Sequence, residues 1–143
     1  MSGPPVPDSD HIARFCPPHT VANGSVQAPA FLLRLGETEL SVNWLEKLGC
    51  ASRAEEIESL QKIFGKKLTV RAKARLTVLK NVETIRTTIE QTSSDRRKIT
   101  INHEPEAPDD LSHSCIYGLR HGDMELAEIF VQLIDETHTA KSL

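Results

Sequence analysis

The sequence predicts an α+β fold, with a single domain that has a mostly antiparallel sheet and helices packed on one face. Segments with the alternation typical of strands are interleaved irregularly with segments of helical spacing, unlike the regular alternation of a doubly wound parallel sheet. The chain has 143 residues, of which 38% are hydrophobic and 4% aromatic, so we expect one core rather than two. We assign residues 10–137 to this domain. Residues 1–9 are expected to be a disordered N-terminal tail and residues 138–143 a frayed C-terminal tail.

The first third of the domain is organised around a dense apolar run. An ordered stretch over 10–16 ends before two consecutive prolines, which stop a helix because they have no amide hydrogen. Residues 30–35 are predicted to form a strand, followed by a polar turn. Ser41 is then expected to cap a short helix that ends at Gly49, with Trp44 as its large apolar anchor.

The clearest helix in the sequence begins after Ser52. Ser52 and Glu55 have the spacing of a capping box, and apolar residues follow at helical intervals until Gly65. Residues 68–79 alternate without interruption between apolar and polar side chains, which predicts one long strand or a bent pair of strands. Asn81 is expected to cap the next helix.

The final third contains two short strands and a helix. Apolar runs predict strands over 99–102 and 115–118, separated by an acidic loop that contains two prolines. Asp123 is expected to cap a terminal helix with an inward apolar face.

The net charge of −3 conceals an uneven distribution along the chain. Residues 66–98 carry ten basic and three acidic side chains, which gives +7, whereas residues 99–143 carry two basic and nine acidic side chains, which gives −7. Such a distribution can steer an anionic partner to the basic segment. Alternatively, the basic middle and the acidic end of the chain face each other, either within one fold or between copies of the chain. Pairing between copies would make the protein a homo-oligomer.

The basic segment is the first candidate functional site. If Arg71, Lys73 and Arg75 lie on one strand, they form a ladder with a spacing of about 6.6 Å, which suits successive phosphates. No aromatic residues are interleaved with them, so base stacking is not predicted. The alternative interpretation is a solvated outer face of the sheet. The candidate binding residues are Lys66, Lys67, Arg71, Lys73, Arg75, Arg96, Arg97 and Lys98.

His103 and His113 are the candidate catalytic residues. Each is placed next to a predicted strand, and neighbouring strands would bring both imidazoles to one edge of the sheet. Two histidines beside a basic side chain can act as base and acid in phosphodiester cleavage. The alternative is that they only fix the acidic loop through hydrogen bonds.

A third candidate is a small pocket near the N-terminal segment. Its polar residues are embedded beside apolar anchors, and they either line a pocket or satisfy one another's hydrogen bonds. These residues are Asp10, His11, Arg14, Asn43 and Glu46.

A metal centre is not predicted. Cys16, His19, His113 and Cys115 make a formal Cys2His2 set, but their spacing does not match zinc-binding motifs. Three cysteines are too few and odd in number for a disulfide framework, so we expect them to be reduced. No phosphate-binding glycine loop or other cofactor motif is present, and no cofactor is expected.

No apolar window approaches the roughly 18 residues that a membrane span requires. The N-terminal residues lack the basic and apolar regions of a signal peptide, so we expect a cytoplasmic protein without a membrane partner.

Three strings of this chain resemble a family of small uncharacterised bacterial proteins. The strings are Asp10 to Cys16 (DHIARFC), Leu40 to Glu46 (LSVNWLE), and the segment from His103-Glu104-Pro105 to Ser112-His113. The resemblance implies a prokaryotic cytoplasmic protein and brings no activity, ligand or catalytic residue.

Two functions follow from these residues. The first is an accessory or interaction module whose basic strand face docks a nucleic acid or an acidic protein. The alternative is a small hydrolase or phosphodiesterase that uses His103 and His113 as acid and base. The first is favoured because the sequence shows no complete catalytic constellation.

Overall fold

The computed structural model describes residues 3–142 and confirms the α+β fold as a single domain. Six antiparallel strands form the main sheet in the order β6-β7-β4-β1-β5-β8, and β2 and β3 form a small sheet of their own. The strands are β1 (His11–Cys16), β2 (Val21–Ala22), β3 (Ser25–Val26), β4 (Leu40–Trp44), β5 (Arg75–Asn81), β6 (Thr100–His103), β7 (His113–Tyr117) and β8 (Ile134–Thr139). The helices are α1 (Arg53–Lys67), α2 (Val82–Thr92) and α3 (Met124–Gln132).

The main sheet has a packed core on each face. Ile85 of α2 and Phe130 of α3 belong to the larger core, whereas Leu60 of α1 packs with Ala13 and Leu76 in a smaller one. Neighbouring residues of a strand point to opposite faces, so Ile12 joins the larger core and Ala13 the smaller one. Helices α2 and α3 therefore share one face as expected, and α1 covers the opposite face.

The helix starts follow the local sequence. Ser52 accepts a hydrogen bond from the Glu55 amide at 3.2 Å, and Asn81 accepts one from the Thr84 amide at 2.8 Å, so these two predicted caps are confirmed. Asp123 precedes α3 as predicted, but its side chain makes no capping hydrogen bond to the helix. Helix α1 continues past Gly65 to Lys67. A glycine inside a helix costs only about 1 kcal/mol, which the packing of a long helix readily offsets.

The apolar run before Gly49 adopts a different structure from the predicted one. The expected strand over 30–35 is a 3₁₀ turn at Ala28–Phe31, and the expected helix after Ser41 is strand β4. Strand β4 pairs with β1 on one side and β7 on the other, and these backbone hydrogen bonds outweigh the weak helical preference of a short segment. Gly49 does end the following 3₁₀ turn, with φ of 71°.

The predicted strand over 68–79 is also shorter than expected. Only its second half is extended, in β5, because residues up to 73 form an exposed turn in which the Ala74 amide donates to the Arg71 carbonyl. Arg71 and Lys73 thus lie on a loop, and the expected strand ladder of basic side chains does not form.

Both chain ends are more ordered than expected. Val6 is only 2% exposed, and its amide donates to the Ile101 carbonyl at 2.9 Å, so the expected disordered tail over 1–9 instead follows β6 from residue 3 onward. Strand β8 runs to Thr139 and Ala140 is fully buried, which also corrects the frayed tail over 138–143. Residues 1, 2 and 143 lie outside the described residues.

Within residues 3–142, no helix has both the length and the apolar character needed to cross a membrane.

Candidate functional site

A cleft of about 450 Å³ opens on the α1 side of the sheet, where the C-terminal turn of α1 lies over β1, β4 and β7. Its charged and polar lining residues are Arg14, Arg34, Ser41, Asn43, Lys67, Thr69, Arg71, Glu106, Asp110 and His113. Its apolar lining residues are Phe15, Pro17, Pro18, Phe64 and Leu68. Most polar lining residues come from separate parts of the chain, so the cleft exists only in the folded protein.

Arg14 is a buried cation in this cleft. The pairing of β1 with β4 ends at Ala13–Asn43, and beyond it Arg14 donates from Nη1 to the Ser41 carbonyl at 2.7 Å and from Nε to the Ala30 carbonyl at 3.0 Å. The residue is only 7% exposed, and no carboxylate of residues 3–142 forms an ion pair with it. Burial lowers the pKa of the Arg14 guanidinium, but an arginine remains charged in proteins.

The second terminal nitrogen of Arg14, Nη2, makes no hydrogen bond to the described residues. Among the described residues, every fully buried side-chain nitrogen or oxygen has a hydrogen-bond partner, but Nη2 has none. Nη2 is therefore not fully buried, and Arg14 is one of the residues that line the cleft. The cleft is thus lined by an arginine that has no carboxylate in direct contact among residues 3–142, although Glu37 acts on its charge at longer range.

Asp110 is the centre of a polar network on the opposite wall. Its side chain is 1% exposed and accepts hydrogen bonds from Lys67 Nζ at 2.6 Å and from Asn43 Nδ2 at 2.8 Å. Lys67 also donates to Glu106 at 2.9 Å, and Asn43 donates to Ser112 Oγ at 2.9 Å. This network fixes the acidic loop to the end of α1 and to β4.

Lys67 and Glu106 each stabilise the charged form of the other. Burial alone would lower the pKa of Lys67, but its hydrogen bonds to Asp110 and Glu106 outweigh burial and raise that pKa. The hydrogen bond from Lys67 lowers the pKa of Glu106 from its ordinary value of 4.5. Lys67 and Glu106 are therefore both charged at neutral pH.

The shift at Glu106 predicts an acid-dependent loss of stability. Because the pKa of Glu106 is lower in the folded chain, the unfolded chain binds more protons in acid, and the stabilisation is lost as the pH falls below 4.5. Lys67→Met should lower the free energy of unfolding by about 1–3 kcal/mol at neutral pH, and by less near pH 3, where the pair with Glu106 no longer contributes. Urea denaturation at several pH values measures this difference.

Lys62→Met is the matched control, because Lys62 lies on the same helix and contacts only the exposed Glu58 at 4.0 Å. It should change stability little at any pH. A Lys67→Met effect of equal size in acid and at neutral pH would show that the ion pairs are not its cause.

Ser41 and His113 meet in the cleft. They lie on the neighbouring strands β4 and β7 with the register Asn43–His113, so both side chains point to the face that α1 covers. His113 Nε2 lies 3.2 Å from Ser41 Oγ, and Nδ1 lies 2.8 Å from the Glu104 carbonyl oxygen. His113 is largely buried, whereas Ser41 is exposed to the cleft.

His103 does not line the cleft, although His103 and His113 both line a second, more open pocket of about 440 Å³. His103 pairs with Ser114 in the register of β6 and β7, so its side chain points to the face opposite to that of His113. The His103 ring bonds the Leu111 carbonyl through Nε2 at 2.7 Å and lies edge-on to Trp44. The two imidazoles therefore border one open pocket, but they belong to opposite faces of the sheet, and each ring bonds a backbone carbonyl of the acidic loop.

Much of the basic segment is paired with the acidic end of the chain. Lys80 bonds Asp135 at 2.7 Å, and Arg97 bonds Asp123 at 2.6 Å, in addition to the contacts of Lys67. Lys66 lies 4.0 Å from Asp109. Such pairs within the fold agree with the alternative that the basic middle and the acidic end face each other.

The remaining candidate binding residues are dispersed. Arg75 Nη1 donates to two backbone carbonyls, and Lys73 is exposed on the loop before β5. Arg96 and Lys98 precede β6, which is four strand positions from β5 in the sheet, or about 19 Å. The segment thus does not form one basic face, and only Lys67 and Arg71 of these residues line the cleft.

The candidate pocket residues separate into two groups. Arg14 and Asn43 line the cleft. Asp10 accepts from Trp44 Nε1 at 2.8 Å, and Glu46 bonds both the amide and Nδ1 of His11. Asp10, His11 and Glu46 therefore satisfy local hydrogen bonds outside the cleft, and His11 and Glu46 also line a separate small pocket of about 210 Å³.

The formal Cys2His2 set does not come together. Cys16 lies in the larger core, whereas His113 and Cys115 face the α1 side of the sheet. Burial raises the pKa of Cys16 to about 11 and that of Cys115 to about 12, so both thiols stay protonated at neutral pH. Across residues 3–142, no three His, Cys, Asp or Glu side chains are grouped so that they could hold a metal ion.

Arg14, Asn43, Lys67, Arg71 and His113 were candidate site residues in the sequence and line the cleft, whereas Ser41 lines it without having been a candidate. The signal for Ser41 was its position between the buried Leu40 and Val42, which is the alternation of a half-buried strand.

No protein-family model, no curated protein and no solved structure matches this chain.

Proposed function

We propose that this protein is a binding module for an anionic ligand, and that the cleft holds the ligand's carboxylate or phosphate group at Arg14. The observation that carries the proposal is the buried guanidinium of Arg14, which has carbonyl partners but no carboxylate. A buried charge without a direct ion pair is costly to a fold, and for Arg14 the effect of burial outweighs the attraction of the more distant Glu37. An anion at Nη2 would offset this cost.

The charge of the cleft favours the same ligand class. Four cationic and two carboxylate side chains line it, so its walls carry a net charge of +2 with His113 neutral. The whole chain has a net charge of −3, so the cleft is a local positive region on an acidic protein. Such a region concentrates anions from solution.

The apolar wall indicates that the ligand is not a bare inorganic ion. Phe15 and Phe64 stack with ring centroids 4.8 Å apart, and Pro17, Pro18 and Leu68 line the same space. A volume of about 450 Å³ fits a small molecule or a single side chain of a partner. The ligand therefore combines one anionic group with an apolar or aromatic part.

Titration calorimetry with benzoate and phenyl phosphate tests this proposal, with benzyl alcohol as the uncharged analogue. We expect both anions to bind and benzyl alcohol to bind far more weakly. Arg14→Gln should weaken anion binding about tenfold or more, because a charge-assisted hydrogen bond contributes about 1.5–3 kcal/mol. Arg71→Gln should weaken it less, since Arg71 is exposed.

Arg86→Gln is the control, because Arg86 pairs with Asp8 outside the cleft. It should leave the affinity for both anions unchanged. The proposal fails if the folded wild-type protein binds neither anion, or if folded Arg14→Gln and Arg71→Gln proteins bind them as tightly as the wild type does.

A further inference from the structure

The hydrogen bonds of His113 determine where its proton lies. The Glu104 carbonyl oxygen can only accept a hydrogen bond, so Nδ1 of the neutral imidazole must carry the proton. Nε2 is then unprotonated and accepts from the Ser41 hydroxyl at 3.2 Å. This is the arrangement in which an imidazole acts as a general base towards a serine nucleophile.

A carboxylate is placed to stabilise the product of that proton transfer. Glu106 Oε2 lies 3.8 Å from His113 Nε2, and Lys67 keeps Glu106 ionised. When Nε2 takes a proton, the negative charge of the nearby Glu106 carboxylate stabilises the positive imidazolium. Lys67 bonds both Glu106 and Asp110. The other charged groups that line the cleft are Arg14, Arg34 and Arg71.

Ser41 and Thr69 are the exposed hydroxyl residues that line the cleft, and Ser41 is the one whose hydroxyl contacts the His113 imidazole. Ser112, directly before β7, and Ser114, within β7, are 2% and 0% exposed and bond within the protein. Ser41, in contrast, is exposed and lines the cleft. Arg14 donates to the carbonyl oxygen of Ser41 itself, so the cation and the hydroxyl are held in a fixed relation. A ligand anchored by its anion at Arg14 therefore lies beside the Ser41 hydroxyl.

We infer that Ser41 and His113 form a nucleophile–base pair, and that the cleft hydrolyses carboxylic esters whose acyl part carries an anionic group. The inference rests on the proposed function, because Arg14 supplies the anchor for that anionic group. The apolar wall formed by Phe15, Phe64 and the two prolines would hold the alcohol part of the ester.

The reaction proceeds in two balanced steps. Ser41 Oγ attacks the ester carbonyl carbon while its proton passes to His113 Nε2, and the bond to the alcohol oxygen breaks as Nε2 returns the proton to that oxygen. The products are the free alcohol and an acyl ester on Ser41. Water then attacks this ester with Nε2 as base, which releases the acid and restores the Ser41 hydroxyl.

The test compares mono(4-nitrophenyl) succinate with 4-nitrophenyl butyrate, an uncharged ester with an acyl chain of the same length. We expect faster release of 4-nitrophenolate from the succinate ester, and a succinyl group on Ser41 in peptide mass mapping. Ser41→Ala should abolish both signals. Ser59→Ala, on α1 outside the cleft, should change neither.

His113→Asn separates the chemical role from a structural one. The asparagine amide can keep the bond to the Glu104 carbonyl, but it cannot accept the Ser41 proton, so the rate should fall about 100-fold or more while the protein stays folded. The rate of the wild type should rise with pH through one deprotonation, and His113→Asn should lose this dependence. His121→Ala, a histidine that does not line the cleft, should keep the full rate and pH profile.

The outcomes distinguish the two proposals. Anion binding without a labelled Ser41, and with Ser41→Ala as active as the wild type, would overturn the nucleophile and leave the binding function intact. A labelled Ser41 without preference for the succinate ester, together with no binding of benzoate or phenyl phosphate, would overturn the anion site but not the nucleophile. Arg14→Gln should remove the preference for the succinate ester if both proposals hold.

Discussion

Asp110→Ala is expected to lower the free energy of unfolding by about 2–4 kcal/mol, in the range for breaking a buried ion pair. The Asp110 carboxylate is 1% exposed, and its removal leaves the largely buried Asn43 amide and the Lys67 ammonium without their main shared acceptor. The expected loss is at the lower side of that range because the Lys67 side chain is 31% exposed and can regain water. Urea denaturation followed by the fluorescence of Trp44, the single tryptophan, measures it.

Asp109→Ala is the matched control for this variant. Asp109 is the adjacent residue in the same loop, but its side chain is 56% exposed and lies 4.0 Å from Lys66. Exposed pairs of this kind contribute at most about 1 kcal/mol, so this variant should unfold close to the wild-type midpoint. Equal effects of the two substitutions would mean that the Asp110 network does not stabilise the fold.

The Asp110 network also matters for the candidate site. The Glu104 carbonyl that orients His113 and the carboxylate of Glu106 belong to the loop that Asp110 fixes through Lys67. Asp110→Ala should therefore disturb the Ser41–His113 contact as well as lower stability.

Phe130→Ala is expected to have the largest effect on stability, about 3–5 kcal/mol. Phe130 is fully buried in the larger core and stacks on Phe31 with ring centroids 5.4 Å apart. Its truncation removes buried apolar surface and leaves a cavity between α3 and the 3₁₀ turn Ala28–Phe31. Thermal unfolding by calorimetry and urea denaturation both report the loss.

Two variants on the same helix test the cause of this effect. Met124→Ala removes a 42% exposed side chain at the start of α3 and should cost far less than Phe130→Ala. Phe130→Leu keeps most of the apolar volume and should cost clearly less than the alanine variant. A Phe130→Ala effect no larger than that of Met124→Ala would contradict the position of Phe130 in the core.

The structural features that the sequence predicted well are those governed by neighbouring residues. The caps at Ser52 and Asn81 and the αL conformation of Gly49 depend on backbone chemistry within a few residues, and the structure confirms each. The α+β class likewise follows from periodicity within each segment. These interactions are encoded locally, so a single sequence reveals them.

Strand β4 shows why other predictions were wrong. Leu40–Trp44 has apolar residues that also match a short helix, and only pairing with β1 and β7 decides for the strand. Arg71 and Lys73 show the converse case. Their segment alternates like a strand but forms a loop, because no neighbouring strand pairs with it. Pairing partners lie far along the chain, so local periodicity cannot identify them.

The sequence by itself determined the fold class, the helix starts and the charge imbalance between the middle and the end of the chain, because each depends on local chemistry or composition. Only the tertiary structure decided that Arg14, Ser41 and His113 share one cleft and that His103 is turned away from it. The physical reason is the sheet order and register, which bring β1, β4 and β7 side by side and assign each side chain to one face.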